Sequence, residues 1–126
     1  MNSASNTDSA KDEPAMESPP EKVEISPRDV QAMIDRGDEF LFVDVREKWE
    51  HDVARIEGAI LIPLRQIPPN FERLSEAGKI VLLCHHGIRS MDAAVWLQSQ
   101  GIKDAVSMSG GIDQWSREVD SSIPRY

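Results

Sequence analysis

The sequence predicts one α/β domain, built on a central, mostly parallel sheet of five strands with helices on both faces. Short apolar segments that suit strands alternate along the chain with segments whose apolar residues recur at helical spacing. Residues 79–84 read KIVLLC, a continuous apolar run typical of a strand that is buried on both faces. The length of 126 residues suits a single domain of ordinary size.

Five segments are predicted strands. They are short and mainly aliphatic, and the third ends at Pro63, which cannot take part in a strand ladder. The predicted strands span residues 24–25, 40–45, 59–62, 79–84 and 105–108.

The helical segments lie between these strands. The first has the clearest signals, with Ser26 as the N-cap, Pro27 at the first helical position and Gly37 at its end. A helical turn over 47–52, an irregular stretch over 64–77, a helix over 90–100 and a last helix around Trp115 follow. The predicted core side chains include Met91, Ala94, Val95 and Leu97 of helix 90–100 and the three tryptophans, Trp49, Trp96 and Trp115.

Residues 1 to 22 differ in composition from the rest of the chain. They contain no Val, Ile, Leu, Phe, Trp, Tyr or Gly, and they hold three prolines and five acidic residues against two lysines. Such a segment buries too little apolar surface to offset the entropy lost on ordering. We therefore expect a disordered acidic tail over residues 1–22 and one domain over residues 23–126.

The composition excludes several function classes. Lys and Arg number 14 against 22 Asp and Glu, and the resulting net charge of −8 opposes binding to nucleic acid. The sequence contains neither an apolar run near the ~20 residues of a membrane span nor an apolar signal-peptide core. One cysteine cannot form an internal disulfide. We expect a soluble cytoplasmic domain without membrane or nucleic-acid partners; its oligomeric state is open, with a monomer as the default.

The most informative stretch joins the predicted strand 79–84 to the helix after it, and residues 84–90 read CHHGIRS. A cysteine at this point faces a helix N-terminus, where the helix dipole and unpaired N–H groups favour a thiolate. Gly87 lets the backbone curl into an anion-binding nest, and Arg89 adds a permanent positive charge. We therefore predict that Cys84 is a nucleophile in a loop that binds an anion.

The residues of this loop allow two other interpretations. A cysteine after four apolar residues can be simply a small buried hydrophobe, but the polar residues that follow Cys84 favour a reactive role. His85 and His86 can ligate metals, yet adjacent side chains on a loop diverge and His51 is the only other histidine. We predict no metal site, and either loop histidine can instead hold a negative charge or shuttle a proton.

Six short motifs extend this pattern over almost the whole of residues 23–126. With these motifs in this order, the chain resembles a single-domain rhodanese, a sulfurtransferase of the rhodanese-like family. The motifs are FVDVRE at 42–47, WEH at 49–51, IEGAILIP at 56–63, CHHGIRS at 84–90, SGGIDQW at 109–115 and Ile-Pro at 123–124.

The resemblance implies transfer of a sulfane sulfur from a donor such as thiosulfate to cyanide or a thiol, through a persulfide on Cys84. It implies neither a metal nor an organic cofactor. Asp44 and Arg46 are expected to form an ion pair that braces the loop region, and Ser90 is counted with them as supporting. The implied substrate-binding residues are His85, His86, Gly87, Ile88 and Arg89.

The two positions after the cysteine depart from the family's patterns. Thiosulfate-preferring members often carry Arg or Lys there, and mercaptopyruvate-preferring members carry Gly and Ser, whereas this chain has His85 and His86. The donor is therefore specified only as a small anionic sulfur compound. Because no second cysteine is available to resolve the persulfide, the acceptor is expected to be an external thiol or protein.

Two rival functions use the same scaffold. Cell-cycle-activating dual-specificity phosphatases need five residues between cysteine and arginine, whereas Arg89 follows Cys84 after four, which makes a smaller cradle. Arsenate reduction is equally compatible with the fold and equally without support from a residue. A sulfur-relay or regulatory binding module is the second rival, and the presence of Cys84 argues against a purely structural role.

Overall fold

The computed structural model describes residues 22–126, so the predicted tail lies outside the described residues apart from Lys22. The strands are β1 (Glu24–Ile25), β2 (Leu41–Asp44), β3 (Ile60–Leu61), β4 (Ile80–Leu83) and β5 (Ala105–Met108). The helices are α1 (Pro27–Arg36), α2 (Lys48–Val53), α3 (Phe71–Ser75), α4 (Ile88–Ser99) and α5 (Gly111–Glu118), and two 3-10 turns, Leu64–Gln66 and Pro68–Asn70, precede α3.

The five strands form one sheet in the order β1-β5-β4-β2-β3. Every neighbouring pair is parallel, so the predicted α/β fold with a five-stranded sheet is confirmed and the sheet is parallel throughout. Strand β4 lies at the centre, between β2 and β5. Since all strands run the same way, the loops that follow β2, β4 and β5 meet at one edge of the sheet.

Alternate side chains of β4 point to opposite faces of the sheet and enter two separate cores. Ile80 and Leu82 pack with residues of α3 and α4 on one face. Val81 and Leu83 pack with residues of α1 and α5 on the other. Both faces of the central strand are therefore covered, as its continuous apolar sequence predicts.

The structure corrects part of the predicted core. Helix α4 starts at Ile88, two residues earlier than expected, and small side chains on its buried face let it pack closely on the sheet. Val95 lies off this face and is 50% exposed, and Trp49 is 61% exposed on α2, so both predictions were wrong, whereas Trp115 is buried. The buried residues of α4 are Ser90, Ala93, Ala94 and Leu97.

Within residues 22–126, no helix combines the length and the apolar character that crossing a membrane requires.

Candidate active site

Cys84 lies directly after β4, at the carboxyl edge of the central strand. Helix α4 begins four residues later, with Gly87 as its N-cap at a φ of 104°. This φ belongs to the left-handed region that favours glycine. The loop from Cys84 to Gly87 is therefore a tight strand-to-helix connection at the position where ligands bind in open parallel sheets.

The sulfur of Cys84 accepts hydrogen bonds from two backbone groups of this connection. The Gly87 N–H lies 3.1 Å from Sγ and the Ser90 N–H lies 3.3 Å from it. The Ser90 hydroxyl is 3.4 Å from Sγ and 2.7 Å from the Ser107 hydroxyl. Cys84 is only 1% exposed, and donors that converge on a buried sulfur at a helix N-terminus stabilise its anionic form.

A second helix N-terminus holds the start of the loop. The Ile112 N–H donates to the Cys84 carbonyl at 2.8 Å, and the Asp113 N–H donates to the His85 carbonyl at 3.1 Å. Gly111 precedes Ile112 and has a φ of 62°. A Cβ added at Gly111 would collide with the carbonyl oxygens of Cys84 and His85. The approach of α5 to the loop therefore depends on the missing side chain.

We expect Gly111→Ala to lower the free energy of unfolding by about 1–3 kcal/mol, because it combines an unfavourable φ with a backbone collision. Urea unfolding followed by circular dichroism measures the loss. The control is Gly78→Ala, since a Cβ at Gly78 meets nothing within 4 Å. A Gly111 variant as stable as the Gly78 variant would show that α5 does not need this close approach.

The predicted pair Asp44 and Arg46 forms a fully buried ion pair, with 0% exposure of both side chains. Arg46 Nε and Nη2 donate to the two Asp44 carboxylate oxygens at 2.8 and 2.7 Å. Arg46 also donates to the Ala54 carbonyl. Burial lowers the pKa of Arg46, but its hydrogen bonds to Asp44 and Tyr126 outweigh burial and raise it. The pair fixes the backbone between β2 and α2, beside the loop.

A second buried carboxylate, that of Glu50 on α2, joins this region to the loop. Arg89 Nη1 and Nη2 donate to the two Glu50 oxygens at 2.7 and 2.8 Å. The Tyr126 hydroxyl donates to Glu50 Oε1 at 2.9 Å and accepts from Arg46 Nη1 at 2.8 Å. The bond from Arg89 lowers the pKa of Glu50 to about 2. The chain Asp44–Arg46–Tyr126–Glu50–Arg89 thus ties the end of β2 to the start of α4.

Aromatic rings lie around Tyr126, next to the loop. The His85 ring stacks on the Tyr126 ring with centroids 3.9 Å apart, and the His86 ring lies 3.9 Å from that of His85. Trp49 meets Tyr126 edge-on at 5.9 Å. Burial, followed by the neighbouring His86, lowers the pKa of His85. Burial raises the pKa of Tyr126 to about 12, so its hydroxyl keeps its proton and can donate to Glu50.

The structure brings most of the predicted site residues together but gives them different surroundings. Gly87 and Ser90 contact the Cys84 sulfur directly. His86 is exposed, and Ile88 projects into solvent with 75% of its surface exposed. Arg89 reaches the loop, but both of its terminal nitrogens are bound to Glu50, so contact with a donor's oxyanion would require this ion pair to open.

Sequence reasoning missed Glu50 and Tyr126. Glu50 belongs to the WEH motif at 49–51 and to a capping box, where it accepts from the Glu47 N–H at 2.9 Å, but neither signal points to Arg89. Tyr126 lies 80 residues from Arg46 along the chain, and no spacing rule connects them.

We expect the stabilisation from the Glu50–Arg89 pair to disappear in acid. The pKa of Glu50 in the folded protein, about 2, is below the ~4.3 of a glutamate in an unfolded chain. The stabilisation is therefore fully present above about pH 4.3 and is lost as the pH falls toward 2. Urea unfolding of wild type and Glu50→Gln should give free energies that differ at neutral pH and converge in acid. A difference that stays constant would contradict the assignment, with Glu57→Gln at an exposed position as the charge control.

Among residues 22–126, no group of three or more His, Cys, Asp or Glu side chains is arranged to hold a metal ion. A cavity of about 600 Å³ opens beside α1 at the opposite edge of the sheet. Its lining includes Lys79 and Asp104, which precede β4 and β5 and pair with each other at 2.8 Å. It is therefore separate from the Cys84 loop.

Comparison with known proteins agrees with this architecture. The model of the rhodanese-like domain matches residues 26–118. The chain is 42% identical over 93 residues to the rhodanese-like/PpiC domain-containing protein 12, chloroplastic, of Arabidopsis thaliana, covering 71% of this chain and 31% of that protein. It is 33% identical over 104 residues to the probable adenylyltransferase/sulfurtransferase MoeZ of Mycobacterium tuberculosis, covering 81% and 26%. The chain thus spans about a third or less of these two relatives.

Solved structures show the same fold. A rhodanese-related protein from Thermoplasma volcanium superposes with a TM-score of 0.64 at 30% identity, covering 76% of this chain and 92% of that one. A rhodanese-like domain protein from Staphylococcus aureus gives 0.68 at 25% identity, covering 82% and 97%. With the family model matched over most of the described residues, the chain belongs to the rhodanese-like domain family.

Proposed function

We propose that this chain is a sulfurtransferase that moves a sulfane sulfur from a donor to a thiophilic acceptor through a persulfide on Cys84. The observation that carries the proposal is the Cys84 sulfur, held by the N–H groups of Gly87 and Ser90 at the start of α4. Family membership supports it. So does a relative in Bacillus subtilis, the putative sulfur carrier protein YrkF, which is 31% identical over 97 residues covering 77% of this chain and 52% of that protein.

The chemistry needs only the thiolate. The Cys84 thiolate attacks the outer sulfur of the donor, a new S–S bond forms, and the donor's own bond to that sulfur breaks. The electron pair of the broken bond leaves with the donor, as sulfite when thiosulfate is used. The acceptor then attacks the outer sulfur of the persulfide and releases the Cys84 thiolate, so no metal, cofactor or net oxidant enters.

The loop residues would hold the transferred sulfur. The outer sulfur of the persulfide would lie beyond Sγ, where the backbone from His85 to Arg89 turns into α4. The phosphatase alternative gains no support, because the arginine such a site would use, Arg89, is bound at both terminal nitrogens by Glu50. The predicted cytoplasmic location belongs to this proposal, since a reducing compartment keeps Cys84 free for loading.

The proposal is tested by one round of transfer. The protein is incubated with a sulfane sulfur donor, freed of donor by gel filtration, and mixed with cyanide. We expect one thiocyanate per Cys84, because the sulfur is stored on the protein between the two steps. Thiocyanate that forms only while donor is present, and none from the separated protein, would rule out a stored persulfide.

A further inference from the structure

Each of the two arginines that the sequence places at this site has its charge matched by a buried carboxylate. Arg46 is paired with Asp44, and Arg89 is paired with Glu50 through two short hydrogen bonds. Glu50 is nearly buried and keeps its negative charge at neutral pH. The Arg89–Glu50 pair therefore presents almost no net charge to a ligand in the loop.

The surroundings of the loop are aromatic and apolar rather than cationic. The His85 ring stacks on the Tyr126 ring and has the His86 ring tilted against it, and Trp49 meets Tyr126 edge-on. Ile88, which follows Gly87 in the chain, is an exposed apolar side chain. Burial lowers the pKa of His85 and so disfavours a positive charge on that ring.

These features distinguish between classes of sulfur donor. Thiosulfate is a small dianion, and its sulfonate needs positive charge or many donors when it leaves water. An organic persulfide, R–S–SH, carries at most one charge on its sulfane sulfur and has an apolar carbon next to the S–S bond. A chain with a net charge of −8 also repels a dianion more than a monoanion.

Building on the proposed function, we infer that the donor class this site prefers is an organic persulfide, and that Glu50 sets the preference by neutralising Arg89. The Cys84 thiolate attacks the outer sulfur of R–S–SH, the bond between the two donor sulfurs breaks, and RS⁻ leaves with the electron pair. The proton stays on the transferred sulfur, so the products are Cys84–S–SH and RS⁻. Glu50 is a positioning residue in this step, because it acts through Arg89.

The test compares two donors on wild type and on Glu50→Gln. Thiosulfate and the persulfide of 2-mercaptoethanol are each mixed with protein, and the second-order rate constant for gain of one sulfur is followed by intact mass. We expect the persulfide to load wild type at least tenfold faster than thiosulfate. Glu50→Gln should raise the ratio of the thiosulfate constant to the persulfide constant by about tenfold, the scale of one charge-assisted hydrogen bond, because the freed Arg89 guanidinium favours the dianion.

The control variant is Glu57→Gln, which makes the same change in net charge at an exposed position and should leave the donor ratio as in wild type. Equal loading of wild type by both donors, with no change of the ratio in Glu50→Gln, would overturn the inference and leave the proposed function standing. Loading by neither donor would overturn the proposed function and the inference with it. A loss of both constants by the same factor would reduce Glu50 to a structural role and also overturn the inference.

A measurement on wild type decides the question should Glu50→Gln fail to fold. Salt screens repulsion between the acidic chain and thiosulfate, so the thiosulfate loading constant should rise with ionic strength. A constant that falls as salt is added would mean that a free cation attracts the dianion, and the inference would be wrong.

Discussion

Replacing Cys84 by serine is expected to reduce sulfur transfer by a thousandfold or more, the scale on which an enzyme loses activity with its nucleophile. A serine hydroxyl fits the same space and can accept from the same N–H groups of Gly87 and Ser90. It is nevertheless far less acidic than a thiol and does not form a nucleophilic anion near pH 7. The initial rate of thiocyanate formation from cyanide and a sulfane sulfur donor measures the effect.

The control for this experiment is the fold of the variant. Because serine is nearly isosteric with cysteine, the urea midpoint of Cys84→Ser should stay close to that of wild type. A folded serine variant that retains transfer would show that sulfur passes through another group, and Cys84 would then be only a small side chain in the core.

Replacing Asp44 by alanine is expected to cost about 3–5 kcal/mol of stability, a large part of the total for a domain of this size. The change leaves the Arg46 guanidinium buried without its carboxylate, and His51 Nδ1 loses its partner 3.1 Å away. Burial of an unpaired charge is among the few mechanisms that give single mutations so large an effect. Urea unfolding followed by tryptophan fluorescence measures the loss.

The matched control is Asp38→Ala, which breaks an ion pair with Arg36 on the exposed end of α1. Exposed pairs contribute about 0–1 kcal/mol, so this variant should resemble wild type. If Asp44→Ala lost no more stability than Asp38→Ala, the buried pair would not brace the site as the structure indicates.

The fold is predictable from local sequence because its signals are local. Ser26, Pro27 and Gly37 mark both ends of α1, and the structure shows the Asp29 N–H donating to the Ser26 hydroxyl at 3.1 Å. The continuous apolar run 79–84 identifies the central strand in the same way. Val95 was misassigned because three of the four buried residues of α4 are small, and hydrophobic spacing alone does not reveal a buried face of that kind.

The surroundings of the candidate nucleophile are predictable only in part. Position after a strand and before a helix is enough to single out Cys84 and the loop that follows it. The partner of Arg89 is not predictable in this way, because Glu50 lies 39 residues away along the chain. Tyr126 completes the cluster from the far end of the described chain. Pairing between charges that are distant in sequence depends on tertiary packing. A lone Arg89 would indicate an anion-binding residue, whereas the structure shows its guanidinium bound to Glu50.

Locating the added sulfur shows whether Cys84 carries a persulfide. Protein exposed to a sulfane sulfur donor is alkylated, digested and analysed by mass spectrometry for the peptide that contains Cys84. We expect one extra sulfur between the Cys84 sulfur and the alkyl group, and its loss when cyanide is added before alkylation. An alkylated Cys84 without extra sulfur, after exposure to both thiosulfate and an organic persulfide, would contradict a persulfide on Cys84.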